Sequence, residues 1–132
     1  MRVLAQDIGE VFHPLERRIA REKGEFTLFA LLEREDVPDR WDLVVSAPWF
    51  GPNQHETVGY FIRQIQLQLG SAVMVALSCL VALDPSDPRV REITGSIPQV
   101  SHGRIELGVR TLIGMDIRQA IIITSHRQDQ AA

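Results

Sequence analysis

The sequence predicts an α/β fold: a single-domain sandwich, with a mixed sheet of about five strands covered by two longer helices. Three observations predict it. Apolar runs near Leu28, Val44, Val81 and Ile122 have the length of strands and lack a polar alternate face, as strands covered on both sides do. Segments centred on Val11 and Ile62 repeat their apolar residues every three or four positions, the helical period. The second of these helices falls between the Val44 and Val81 runs, and a strand–helix–strand order implies a parallel pair with a right-handed crossover.

In chain order, Leu4, Ile8, Val11, Leu15 and Ile19 form one stripe of a helix from about Arg2 to Glu22, with Asp7, Glu10, Glu16 and Arg17 turned outward. Pro14 removes a backbone hydrogen bond, which predicts a kink or a restart with His13 as cap. Gly24 ends the helix. Phe26 to Glu33 reads as an interior strand, with Phe26, Leu28, Ala30 and Leu32 on one face and Phe29 and Leu31 on the other. Val37-Pro38-Asp39-Arg40 turns the chain, so this strand and the next, Asp42 to Ser46, form an antiparallel hairpin. Pro48 stops the second strand and Gly51-Pro52 adds a turn.

Asn53 and Glu56 have capping-box spacing, and Val58, Phe61, Ile62, Ile65 and Leu69 continue a helix to about Gly70. Ser71 to Ala76 suits either a short helix or a strand entry. Leu80 to Leu83 is the third strand, and Asp87-Pro88 starts a short helix that runs to Thr94 and stops at Gly95. Pro98 holds a loop from Ser96 to His102. Ile105, Leu107, Val109 and Ile113 alternate with polar neighbours as in one half-exposed strand, Gly114-Met115-Asp116 turns the chain, and Ala120 to Thr124 is the last strand. Residues 1–124 thus make one α/β domain, and 125–132 read as a polar, frayed tail.

At 132 residues and 45% hydrophobic, the chain buries about two-thirds of its unfolded surface as one domain. Net charge of -3, from 14 basic and 17 acidic residues, supplies no field that would draw in nucleic acid or an acidic membrane. Lys23 is the only lysine, and in Arg-Glu-Lys-Gly-Glu it suits neither a phosphate-binding loop nor a Schiff base. Cys79 is the only cysteine, which excludes an intramolecular disulfide and a multi-cysteine zinc site; it reads as a small core residue of a cytoplasmic protein. Met1 to Gly9 lacks the apolar core of a signal peptide, and the longest apolar run is far short of the roughly 20 residues of a membrane span.

Candidate chemistry gathers where ligands gather in open α/β sheets, at the carboxyl ends of parallel strands. There His55 and Asp84 would act as a base and its orienting carboxylate, with Ser46 as nucleophile or ligand. Ser46 is not in a Gly-x-Ser-x-Gly elbow, and each residue also has a plain structural role: strand end, first helical turn and turn former. Glu35, Asp36, Asp39 and Asp42 resemble a hard-cation loop but lack its bend glycine. His55 and His102 have no paired-histidine spacing, so neither metal nor cofactor is expected.

The outer face of the Asn53 helix carries Gln64, Gln66 and Gln68, with Arg63 the only charge beyond the first turn, and such a face is buried at lower cost than a charged one. Trp49 and Phe50 add an aromatic pair of the kind that anchors interfaces. The expected function is therefore non-enzymatic: a protein-interaction or accessory subunit, acting on a protein partner or by homo-oligomerisation through Trp49, Phe50, Gln64 and Gln68. The alternative is a small hydrolase or nucleotide-handling enzyme that uses the 46–55 loop with Asp84.

Overall fold

A computed structural model of the chain describes residues 8–127. The first helix, α1, is Ile8–Lys23; the part predicted from Arg2 to Asp7 lies outside the described residues, as does 128–132 of the predicted tail. Strand β1 is Leu28–Arg34 and β2 is Trp41–Ser46. Helix α2 spans Gln54–Gln68, α3 spans Ser71–Ala76, and β3 is Leu77–Leu83. Helix α4 is Pro88–Ser96, followed by β4 Ile105–Leu107, β5 Arg110–Leu112 and β6 Met115–Ser125.

The strands form one six-stranded mixed sheet in the order β3-β2-β1-β6-β4, with β5 also paired to β6. β1 and β2 make the predicted antiparallel hairpin, Leu31 opposite Leu43, and β2 and β3 make the predicted parallel pair, Val44 opposite Val81. Two cores result, one on each face. Phe12, Leu15 and Ile19 of α1 and Phe61 and Ile65 of α2 bury Phe29, Leu31, Leu43 and Val45 on one side. Val90 and Ile93 of α4, with Leu112, bury Leu28, Ala30, Leu32, Val44 and Ile122 on the other. Central strands clad on both faces need apolar residues at consecutive positions, and full burial of each such Leu or Phe contributes about 1.5–3 kcal/mol.

Four local expectations are corrected. α1 runs unbroken through Pro14 without a restart at His13. Phe26 precedes β1 and joins the α1–α2 core, opposite the face that carries Leu28. Glu16, predicted on the outer face of α1, is fully buried. The single half-exposed strand predicted after Gly103 is two three-residue strands broken at Gly108-Val109. There the turn comes earlier than expected, at Ile113 and Gly114, whose φ values of 45° and 78° suit the two central positions of a type I′ hairpin. Ile113 is β-branched and costly in that conformation; Glu92 Oε2 accepts its N–H at 2.8 Å and holds the turn on α4.

The ambiguous 71–76 segment is helical, and Ser125, placed in the tail by its polarity, instead ends β6. Its N–H and carbonyl both pair with Val100, at 2.8 and 3.0 Å.

Candidate functional site

The carboxyl ends of β2 and β3 do open onto a concavity. It holds about 320 Å³ and is lined by Gln54 and Thr57 of α2, by Ala82, Leu83 and Asp84 at the end of β3, and by Asp87 and Arg89 at the start of α4. Local sequence builds this edge: Asn53 caps α2 by accepting the Glu56 N–H at 3.2 Å, and Asp87 caps α4 by accepting the Arg89 N–H at 2.8 Å.

The three residues predicted to cooperate there do not meet. Ser46 is the last residue of β2, between Leu28 and Leu83 on its neighbours, and is fully buried; its Oγ has no partner among the described protein atoms. A serine sealed between strands is closed to a substrate carbonyl. His55 lies on the exposed first turn of α2 and faces a different concavity, with Glu56, Val58, Gly59, Ile62 and Arg63. Asp84 is occupied by its own turn: it accepts the Ser86 N–H at 2.9 Å and the Ser86 hydroxyl, and these two bonds hold its carboxyl below the usual range. No hydrogen bond among the described residues joins His55 to Ser46 or Asp84, so a proton-transfer relay between them lacks its first requirement.

The aromatic pair is turned inward. Trp49 donates from Nε1 to the Gly24 carbonyl at 2.8 Å, and its ring packs edge-on against Phe26, Phe50 and Tyr60 and stacks on Phe61. Gly24 is required there twice over: its φ is 131°, and a Cβ would meet Trp49 Cδ1 at 2.9 Å. Trp49 and Phe50 are half-buried parts of the α1–α2 core. Gln64 and Gln68 are half-buried, joined by a 2.7 Å hydrogen bond along α2, while Gln66 beside them is exposed.

The acidic turn is organised by an arginine. Arg34 Nε lies 3.0 Å from Asp42 Oδ2, though off the line of a hydrogen bond, and its Nη1 lies 3.5 Å from Asp36. Burial pushes the Asp42 carboxyl up, and Arg34 opposes that only in part. Among the described residues no group of three or more His, Cys, Asp or Glu is placed to hold a metal ion.

A polar network that sequence reasoning missed ties α1 to β6. Fully buried Glu16 accepts from His102 Nδ1 at 2.8 Å and from the Thr124 hydroxyl at 2.7 Å, and Thr124 accepts the His102 N–H at 3.1 Å. His102 Nε2 lies 3.0 Å from exposed Glu25, and His13 Nε2 donates to the His102 carbonyl at 2.7 Å. His102 holds a left-handed φ of 52°, sparsely populated outside glycine. The signal was present: Phe12 belongs to the buried stripe of α1, and position 16 lies one turn beyond it.

The two edges of the sheet are unlike. β4, at one end, is three residues long, and Arg104 and Glu106 put an ion pair of 2.8 Å beside it. β3, at the other end, has seven residues, Leu-Ser-Cys-Leu-Val-Ala-Leu, with no charge and no proline. Its outer edge has no partner strand among the described residues. Cys79, read from sequence as a core residue, is exposed on this edge. Although its side chain reaches the surface, the surrounding apolar strand pushes the thiol up, Asp42 adds to this and Arg34 opposes it, so thiolate chemistry is disfavoured. Two of the large exposed apolar side chains, Leu67 at 80% and Val75 at 71% exposure, lie on α2 and α3, the helices that adjoin β3.

No helix among the described residues is long and apolar enough to cross a membrane. Comparison with protein-family models, curated proteins and solved structures gave no match to this chain.

Proposed function

We propose that this is a non-enzymatic interaction or accessory subunit whose contact surface is the outer edge of β3 with the adjoining faces of α2 and α3. One observation carries the reading: the sheet has one edge blunted by a short, charged strand and one left long and uncharged. An exposed apolar edge strand is a ready template for another chain, and proteins whose edges stay unpaired shield them with charge, proline or a covering element. The glutamines of α2 fit the same surface, since uncharged polar groups are buried at lower cost than charged ones.

The enzyme alternative keeps one supporting feature, the 320 Å³ concavity at the carboxyl ends of the parallel strands. It loses its machinery, because Ser46 is sealed and His55 and Asp84 face different concavities.

Cys79→Lys tests the interaction reading. The side chain is exposed, so the substitution leaves the fold intact, with an unchanged thermal midpoint, while placing an ammonium on the edge. Association measured by light scattering at tens of micromolar falls for Cys79→Lys and is unchanged for His55→Ala. Equal association in both variants, or its loss in His55→Ala alone, contradicts the reading.

A further inference from the structure

The β3 edge has a composition that fits one partner in particular. From Gln64 to Leu83, through the second half of α2, all of α3 and all of β3, the chain carries no Asp, Glu, Lys or Arg. Arg40 reaches only the first residue of β3, where its Nη2 donates to the Leu77 carbonyl at 3.0 Å, and between Ser78 and Leu83 a partner of opposite charge has no charged residue of the strand to recognise. In a two-fold contact, by contrast, every residue near the axis lies close to its own copy, so any charge there would meet a like charge.

β3 is also nearly palindromic in side-chain size. Folded back on itself about Leu80, an antiparallel copy places Leu77 opposite Leu83, Ser78 opposite Ala82 and Cys79 opposite Val81, with Leu80 meeting Leu80. Large faces large and small faces small. Ser78 is the extra residue of the irregularity where β3 pairs with β2, and the small Ala82 opposite it leaves room for the bend.

The size of the surface suits a reversible dimer. Seven residues span about 23 Å at the rise of a strand, and β3 with α2 and α3 against one of its faces is about 20 Å deep, so the edge offers about 450 Å² per copy. A standard stable interface buries roughly 800 Å² per partner.

We infer that the partner of this edge is a second copy of the chain, its β3 paired antiparallel about Leu80 so that two six-stranded sheets become one. This rests on the interaction reading of the β3 edge given above.

Cysteine cross-linking reads the register directly. Residues directly opposite across antiparallel strands have Cα atoms about 4.5–5.5 Å apart, within disulfide reach, whereas diagonal neighbours are about 7–8 Å apart. Val81→Cys sets a new thiol opposite the native Cys79 of the other copy. After mild oxidation this variant runs as a covalent dimer on a non-reducing gel, whereas the wild type and Val81→Cys/Cys79→Ser run as monomers. Light scattering of the unoxidised wild type gives twice 14.9 kDa. Cross-linking of the wild type, or of the double variant, as strongly as of Val81→Cys overturns the register. A mass of 14.9 kDa at all concentrations, with Val81→Cys folded by circular dichroism yet uncross-linked, overturns self-pairing. That second result leaves the broader interaction reading standing for a different protein. The broader reading fails separately, if turnover is found that His55→Ala or Asp84→Asn abolishes.

Discussion

Removing the His102 side chain should destabilise the fold well beyond the loss of one surface contact. Glu16 is fully buried, and the imidazole Nδ1 is one of its two hydrogen-bond partners; the ring itself is 27% exposed. His102→Ala leaves the carboxylate with the Thr124 hydroxyl alone. Breaking a buried pair from one side costs about 3–5 kcal/mol. Because the ring reaches the surface, water enters the space it leaves and recovers part of the lost hydration, which brings the expected loss to about 2–3 kcal/mol. For a domain of this size that lowers the thermal midpoint by about 10 °C.

Two companions separate the buried bond from general disturbance. Glu25→Ala removes the exposed partner of the same ring and costs under about 1 kcal/mol. Glu16→Leu with His102→Ala removes the buried carboxylate together with its ring partner and recovers at least half of the loss. Urea unfolding at pH 7 measures all three. If His102→Ala costs no more than Glu25→Ala, or the double variant is less stable than the single, the network does not hold α1 to β6 as described.

Three further outcomes follow from the structure. The Asp42 carboxyl is raised by burial, so its contribution to stability is full below about pH 3.8 and is lost as pH rises through its folded value; the stability of wild type relative to Asp42→Asn should be greater at pH 3.5 than at pH 7, by urea unfolding at both. Asp84 has the opposite sign, its contribution being present above about pH 3.8 and lost as pH falls through its lowered folded value, and Ser86→Ala should return its carboxyl toward the ordinary range in an NMR titration. Gly24→Ala should cost about 2 kcal/mol, from its positive φ and its approach to Trp49, and should shift tryptophan emission; an unchanged midpoint would mean that Trp49 has other room.

Strands β1, β2 and β6 were legible because burial on both faces demands consecutive apolar residues, and α2 because its cap and stripe agree. Glu16 was misplaced because hydrophobic periodicity treats a carboxylate as a surface marker. Its partners, His102 and Thr124, are 86 and 108 residues away, beyond any local pattern. The break at Gly108-Val109 was hidden for a similar reason: alternation continues across it, while pairing with β6 lapses after Leu107 and resumes at Arg110. Ser46, His55 and Asp84 are adjacent in the topology, as the strand order predicts. Side-chain direction separated them: Ser46 lies within the sheet, and the other two face different concavities. The uncharged glutamine face of α2 was visible in the sequence, but its continuation into an uncharged edge strand depended on knowing that β3 is outermost.

The proposed function rests on pairing of the outer edge of β3 in solution. Amide hydrogen exchange at two protein concentrations, one below and one above the association midpoint, tests it most directly, because an unpaired edge exchanges its outward amides quickly. The amides between Ser78 and Ala82 that point away from β2 should gain protection at the higher concentration, while those of β4, Ile105–Leu107, should not change. Exchange of the β3 amides that is equally fast at both concentrations, in the absence of any other protein, would contradict pairing of this edge by a second copy.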